Sequence, residues 1–162
     1  MIAGWNSLSV DDKTALIEAP VYITILIGAA DNNLDDTERE WGERLTHFRS
    51  ITTEEYVQKF YEEADKVFHK KLLSVLASYE TKSFSNDQKL EDARNSLMRV
   101  NQSLAHLDED VANNIYNSLL SFAKHIAKVS GGILHMGGIS PEEKELLDLK
   151  MIDPPRNTST HG

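Results

Sequence analysis

From Ala19 to Ala30 the chain reads Ala-Pro-Val-Tyr-Ile-Thr-Ile-Leu-Ile-Gly-Ala-Ala, twelve residues without a charge. Water cannot solvate such a segment cheaply, and it is too short for a bilayer, whose hydrocarbon core needs about 20 residues of helix. The remaining solution is a helix at the centre of a core, enclosed by other elements. Pro20 removes a backbone donor near the start of the segment, which predicts a kink or a break between two helices.

The rest of the chain supplies those other elements, and their starts are legible. Ser9 with Asp12 three residues later reads as a cap with an acidic first turn, followed by Leu16, Ile17, Val21, Ile23, Leu26 and Ile27. Asp35 and Glu38 have capping-box spacing, and the helix after them runs through Trp41, Leu45 and Phe48. Thr52 and Glu55 repeat the device before a long helix carrying Tyr56, Phe60, Ala64, Val67, Phe68, Leu72, Val75, Leu76 and Tyr79 at spacings of three and four. Ser85 and Gln88 open a helix through Ala93, Leu97, Val100 and Leu104. Asp108 is placed to cap the next, with Val111, Ile115, Leu119, Phe122, Ile126 and Val129 on one face and Gly131-Gly132 as its stop. Ser140-Pro141-Glu142-Glu143 starts a last helix over Leu146 and Leu147, ended by Asp153-Pro154-Pro155. No segment alternates apolar and polar residues for long enough to predict a strand.

The expectation is therefore all-α: a single compact bundle of about six or seven helices over residues 9–153, a lead-in at 1–8 and a disordered tail at 154–162. Apolar residues make up 40% of the 162, enough to close one core. The formal net charge is -9, and no lysine or arginine cluster stands out in the sequence, which argues against nucleic acid as a partner. There is no cysteine, so disulfides and thiolate metal sites are excluded, in keeping with a reducing, cytoplasmic setting. Met1–Ser9 lacks a basic region followed by an apolar run, so no secretion signal and no transmembrane segment are expected.

The chemistry-bearing residues concentrate in Asp31–Glu38. Oxygen ligands in a short loop suit hard cations such as calcium or magnesium. The spacing is not that of an EF-hand, since the sixth position from Asp31 is Asp36 and the twelfth is Gly42. Helix capping is the simpler explanation of part of the cluster: Asp35 and Glu38 as a capping box contribute ~1 kcal/mol. Asp36 at the helix start adds ~0.3–1 kcal/mol. Asp31 has no such explanation, because it ends the preceding helix, where the dipole disfavours negative charge. Both readings stand on sequence alone. Among the histidines, His47, His69, His106 and His125 fall on helix faces. His135 and Met136 lie between glycine pairs, where a soft-metal role competes with that of a simple connector. Nothing supports catalysis: there is no Gly-x-Ser-x-Gly elbow, no phosphate loop with its lysine and no zincin-type histidine pair. The expectation is a non-enzymatic protein with a protein partner.

The chain also resembles itself. Leu26-Ile27-Gly28-Ala29-Ala30-Asp31 followed by Leu34-Asp35-Asp36-Thr37-Glu38 parallels Ile126-Ala127-Lys128-Val129-Ser130-Gly131 followed by Ile139-Ser140-Pro141-Glu142-Glu143. Duplication and the simple recurrence of a capped helix corner both produce this pattern. The first copy, Ala29-Ala30-Asp31-Asn32-Asn33-Leu34-Asp35-Asp36-Thr37-Glu38, resembles the signature of the TerB-like (tellurite resistance protein B-like) family. Glu18-Ala19-Pro20-Val21-Tyr22 is similar to that family's approach to its first long helix. The likeness covers roughly residues 9–50 and 122–152. It implies an all-helical fold with two pseudo-symmetric halves, a role as a stress-response accessory protein, and acidic residues at the helix corners linked to divalent cations. By position the implied ligands are Asp31, Asp35, Glu38 and, from the second half, Glu143. Asn32 stands where the family usually has Gly, and Ser130 and Ser140 where the second copy usually has Asp, so a shared site here carries two fewer carboxylates.

Overall fold

The computed structural model describes residues 4–30, 36–52, 55–130 and 141–155; the side chains of 36–38, 52, 55–56, 129–130 and 141–143 lie outside that description. Among the described residues there are seven α-helices, one 3-10 turn at Trp5–Ser7, and no strand. The helices are α1 (Val10–Ala30), α2 (Asp36–Thr52), α3 (Glu55–Thr81), α4 (Asn86–Met98), α5 (Val100–Ala105), α6 (Glu109–Ser130) and α7 (Pro141–Leu147). The protein is an all-α compact bundle.

Helix α1 is the hub, packing against all six others. From Ile23 to Ala29 every residue is buried, so this stretch has no solvent face. Only a helix apolar all round can occupy such a position. Pro20 does not split it. The chain stays helical from Val10 to Ala30, and the Thr24 hydroxyl donates back to the Pro20 carbonyl at 2.8 Å. By length and composition α1 alone, among the described residues, could cross a membrane. The helix reaches that length only by including the charged residues Glu18, Lys13, Asp12 and Asp11 upstream of the uncharged run, and in the fold its apolar part is covered by protein.

The local start signals form as the spacing predicts where they are described. The Asp12 amide donates to Ser9 Oγ at 3.0 Å. The Gln88 amide donates to Ser85 Oγ, and the Ser85 amide to Gln88 Oε1 at 2.7 Å, completing a reciprocal capping box. Thr52–Glu55, Ser140 and the Gly131-Gly132 stop fall on undescribed residues or side chains, as does the tail from 156.

Three features depart from expectation. The single helix foreseen after Ser85 is two, because Arg99 takes a tightened turn with its amide on the Ser96 carbonyl; Ala93, Leu97, Val100 and Leu104 are nonetheless all buried. Phe48, expected on the inner face of α2, is 59% exposed, and Ile51 is 64% exposed. The inner face is instead Gly42, Leu45, Thr46 and Ser50, with Arg49 half-buried beside them. Small residues let α2 approach closely: a Cβ on Gly42 would stand 2.8 Å from Thr24 Cγ2 and 2.9 Å from Phe68 Cζ. That approach fixes the rotation of α2 and turns Phe48 outward. Finally, α7 ends at Leu147, well before Pro154. Leu149 has φ 48, its amide donates to Leu146 O, and the Lys150 amide donates to Glu145 O, the double closure of a Schellman stop. Ser83, φ 55, ends α3 in the same way through Phe84 to Tyr79. Leu149 tolerates the left-handed conformation, which costs roughly 1–2 kcal/mol, because its side chain is fully buried.

Candidate functional site

The acidic corner begins where α1 ends. Asn86, on the first turn of α4, donates its side-chain amide to the Ala29 carbonyl at 2.5 Å. One of the carbonyls left open at the end of α1 is thus satisfied, and α4 is tied to the lip of the corner. Asp31 and Asp35 lie outside the described residues. Glu38 and Glu143 belong to the first turns of α2 and α7, but their side chains lie outside the description, and so do His135 and Met136. Among the described residues no three His, Asp or Glu side chains converge to hold a metal ion.

Three constellations lie within the described residues, and sequence reasoning missed all of them. The first is around Asp12, which is buried. Its carboxylate meets His106 Nδ1 at 2.8 Å, and its carbonyl accepts from Ser103 Oγ at 2.7 Å. Asp12 therefore does more than charge a first turn: it ties the start of α1 to the end of α5. Unpaired, a buried carboxylate would be costly, which explains the imidazole beside it. A cleft of ≈420 Å3 opens here between α1 and the α4–α5 junction, lined by Asp11, Asp12 and Glu18 on one side and Arg99 and Gln102 on the other. It can receive charged, water-soluble groups. Ser9, one of its hydroxyls, accepts from the Asp12 amide as the cap of α1.

The second lies where α2 crosses α3 and α6. Arg49 Nη1 donates to Tyr61 Oη at 3.0 Å, Ser118 O at 2.9 Å and Ser118 Oγ at 3.1 Å. Its guanidinium also stands 5.5 Å from the ring centres of both Tyr61 and Phe122. Burial raises the Tyr61 phenol above its usual range, against the opposing influence of Arg49 and Ser118. Nearer the surface, His47 pairs with Asp65 at 2.8 Å and His69 with Glu43 at 3.2 Å, two crossed pairs that stitch α2 to α3. Tyr79 donates to Asp92 Oδ2 at 2.6 Å between α3 and α4, and burial, followed by Asp92, drives its phenol far above the usual range.

The third is a groove of ≈500 Å3 between α6 and α7, lined by Ser121, Lys124, His125, Lys128, Lys144, Leu147 and Asp148. Here the fold gathers cations that look scattered in the sequence. The spacing 121, 124, 125, 128 places four of these residues on one stripe of a helix, a pattern that periodicity alone could have exposed.

No protein-family model matches the chain, and neither a curated protein nor a solved structure matches it. The TerB-like likeness therefore rests on the quoted residues.

Proposed function

We propose that this is a TerB-like, non-enzymatic accessory protein of the stress response whose corner between α1 and α2 takes a divalent cation, calcium or magnesium. The observation that carries the reading is the position of the helix ends. Helix α1 is described as far as Ala30 and α2 from Asp36, so Asp31–Asp35 lie in the chain between two described helices. A carboxylate at Asp31, next in sequence after Ala30, is unfavourable beside the negative end of a helix dipole unless a cation accompanies it. In the second half, α6 is described to Ser130 and α7 from Pro141, and α7 packs on both α1 and α6. That supports two pseudo-symmetric halves and Glu143 as a fourth ligand beside Asp31, Asp35 and Glu38. The absence of cysteine supports a cytoplasmic setting.

A panel of calcium, magnesium, manganese and zinc at millimolar concentration tests the reading by melting temperature. One ion should raise it, by mass action on the folded state, and Asp31→Asn should abolish the rise. No shift with any ion, or an equal shift in Asp31→Asn, sinks it.

A second reading is a helical interaction module without a metal, with the corner serving only as caps. Phe48 and Ile51, one turn apart on α2 and both exposed, favour it. On this reading chelators have no effect and replacing both residues by Ser abolishes capture of a protein partner.

A further inference from the structure

We propose that the groove between α6 and α7 binds a small organic phosphate monoester, with Lys124 and Lys128 on the phosphate and the apolar part of the ligand against the Leu147 floor. This site is separate from the acidic corner and does not depend on it.

The argument starts from charge. The chain carries 26 acidic and 17 basic residues, yet among the described residues the rim of this groove holds three lysines and a histidine against one carboxylate. That carboxylate, Asp148, is engaged by Lys144 Nζ at 3.3 Å. Lys124 and Lys128 have no ion-pair partner among the described residues. They lie four residues apart on one helix, where like charges repel. Lys128 and Lys144 each have a structural reason, in the last turn of their helices. Lys124, one turn before Lys128, has none. His125, between the two lysines, is held below the usual imidazole value first by partial burial, with smaller contributions from the positive charges of Arg49 and Lys128.

Shape and donor type then narrow the ligand. The volume falls within the ~300–1,000 Å3 typical of small-molecule sites. Leu147 is buried at the base, and the lysine stems add apolar wall around it. The cations lining the groove are ammonium groups, not guanidinium forks. Lysine binds phosphate as a point charge, and two ammonium groups one helical turn apart offer two such charges to the dianion of a phosphate monoester. Ser121 Oγ already donates to the Ser118 carbonyl at 3.0 Å, which leaves its lone pairs facing outward and places the anionic contacts on the lysines.

The test is amide-resolved NMR titration of the full chain with phenyl phosphate, with inorganic phosphate in parallel. Phenyl phosphate should give saturable shifts confined to residues 121–128 and 144–148, and bind more tightly than inorganic phosphate. In Lys124→Gln/Lys128→Gln the affinity should fall about tenfold or more, the effect of losing charge-assisted contacts, while the melting temperature holds or rises as the repulsion is relieved. Lys59→Gln, which removes an exposed cation elsewhere, should bind as the parent does. Absence of saturation at about 10 mM, shifts spread evenly over the surface lysines, or unchanged affinity in the double variant would overturn the proposal. Equal affinity for the two probes would show ion attraction without a site and would overturn it too.

Discussion

Helices α1 and α6 have almost the same length, 21 and 22 residues, and opposite uses. α1 is touched by every other helix and is enclosed over its last turns. α6 is divided: Val111, Ile115, Leu119, Phe122 and Ile126 are buried, while Ser121, Lys124, His125 and Lys128 face solvent. A helix enclosed on all sides can only support the fold, because any polar group on it must find a partner inside. A helix with one free face can carry chemistry at little cost to stability. The comparison assigns structural work to the enclosed Ile23–Ala29 stretch of α1 and leaves recognition to the open helix faces and corners around it.

Truncation is the strongest way to challenge that division. Leu26→Ala on α1 should cost ~2–5 kcal/mol, since the side chain is fully buried and the six surrounding helices cannot collapse into the space. Leu120→Ala on the half-buried flank of α6 should cost well under half of that. Urea unfolding of both variants measures the ratio, and comparable losses would show that α1 is not the centre of stability.

Gly42 sharpens the same point, because it sets how closely α2 lies on α1. A Cβ there would collide with Thr24 Oγ1 and Cγ2 and with Phe68 Cζ. Gly42→Ala should destabilise by ~1–3 kcal/mol despite the gain in helix propensity. Thr24→Ala removes two of the three obstructing atoms, so the double variant should lose less than the sum of the single losses. Strict additivity in denaturant unfolding would mean that the two helices do not meet at this pair.

These residues also show what could be read in advance. The caps at Ser9 and Ser85 and the buried face of α6 depend on residues three or four apart, and all were legible. The rotation of α2 was not, because Gly42 and Thr46 decide it through contacts with α1 and α3, and Phe48 carries the apolar signal that points the wrong way. The stops at Ser83 and Leu149 were hidden for another reason: neither is glycine, the residue that normally marks a left-handed position. Among the site residues, Asp12 and His106 are 94 positions apart, so only the fold joins them. The basic stripe on α6 was half legible. Its spacing lay in the sequence, but the opposing Lys144 and Leu147 come from α7.

The smallest expected effect falls on the free face of α6, and it concerns pH. His125 is held below its ordinary value of 6.5 by partial burial, with Arg49 and Lys128 adding to the effect. The folded state therefore prefers the neutral ring, whereas the unfolded chain protonates near 6.5. The resulting contribution to stability is fully present above that pH. It is lost as pH falls through the unfolded value towards the lower folded one, because protonation then favours the unfolded chain. In His125→Gln this contribution disappears, so melting temperature should fall less steeply than in the parent between about pH 6.5 and 5. The ring is largely solvent-exposed, so the difference should be small and should shrink further with added salt. An unchanged pH slope in His125→Gln would remove the evidence for a positive field on this face of α6. A slope that also flattens in Lys128→Gln would trace the field to the lysine stripe, the feature that distinguishes α6 from the enclosed α1.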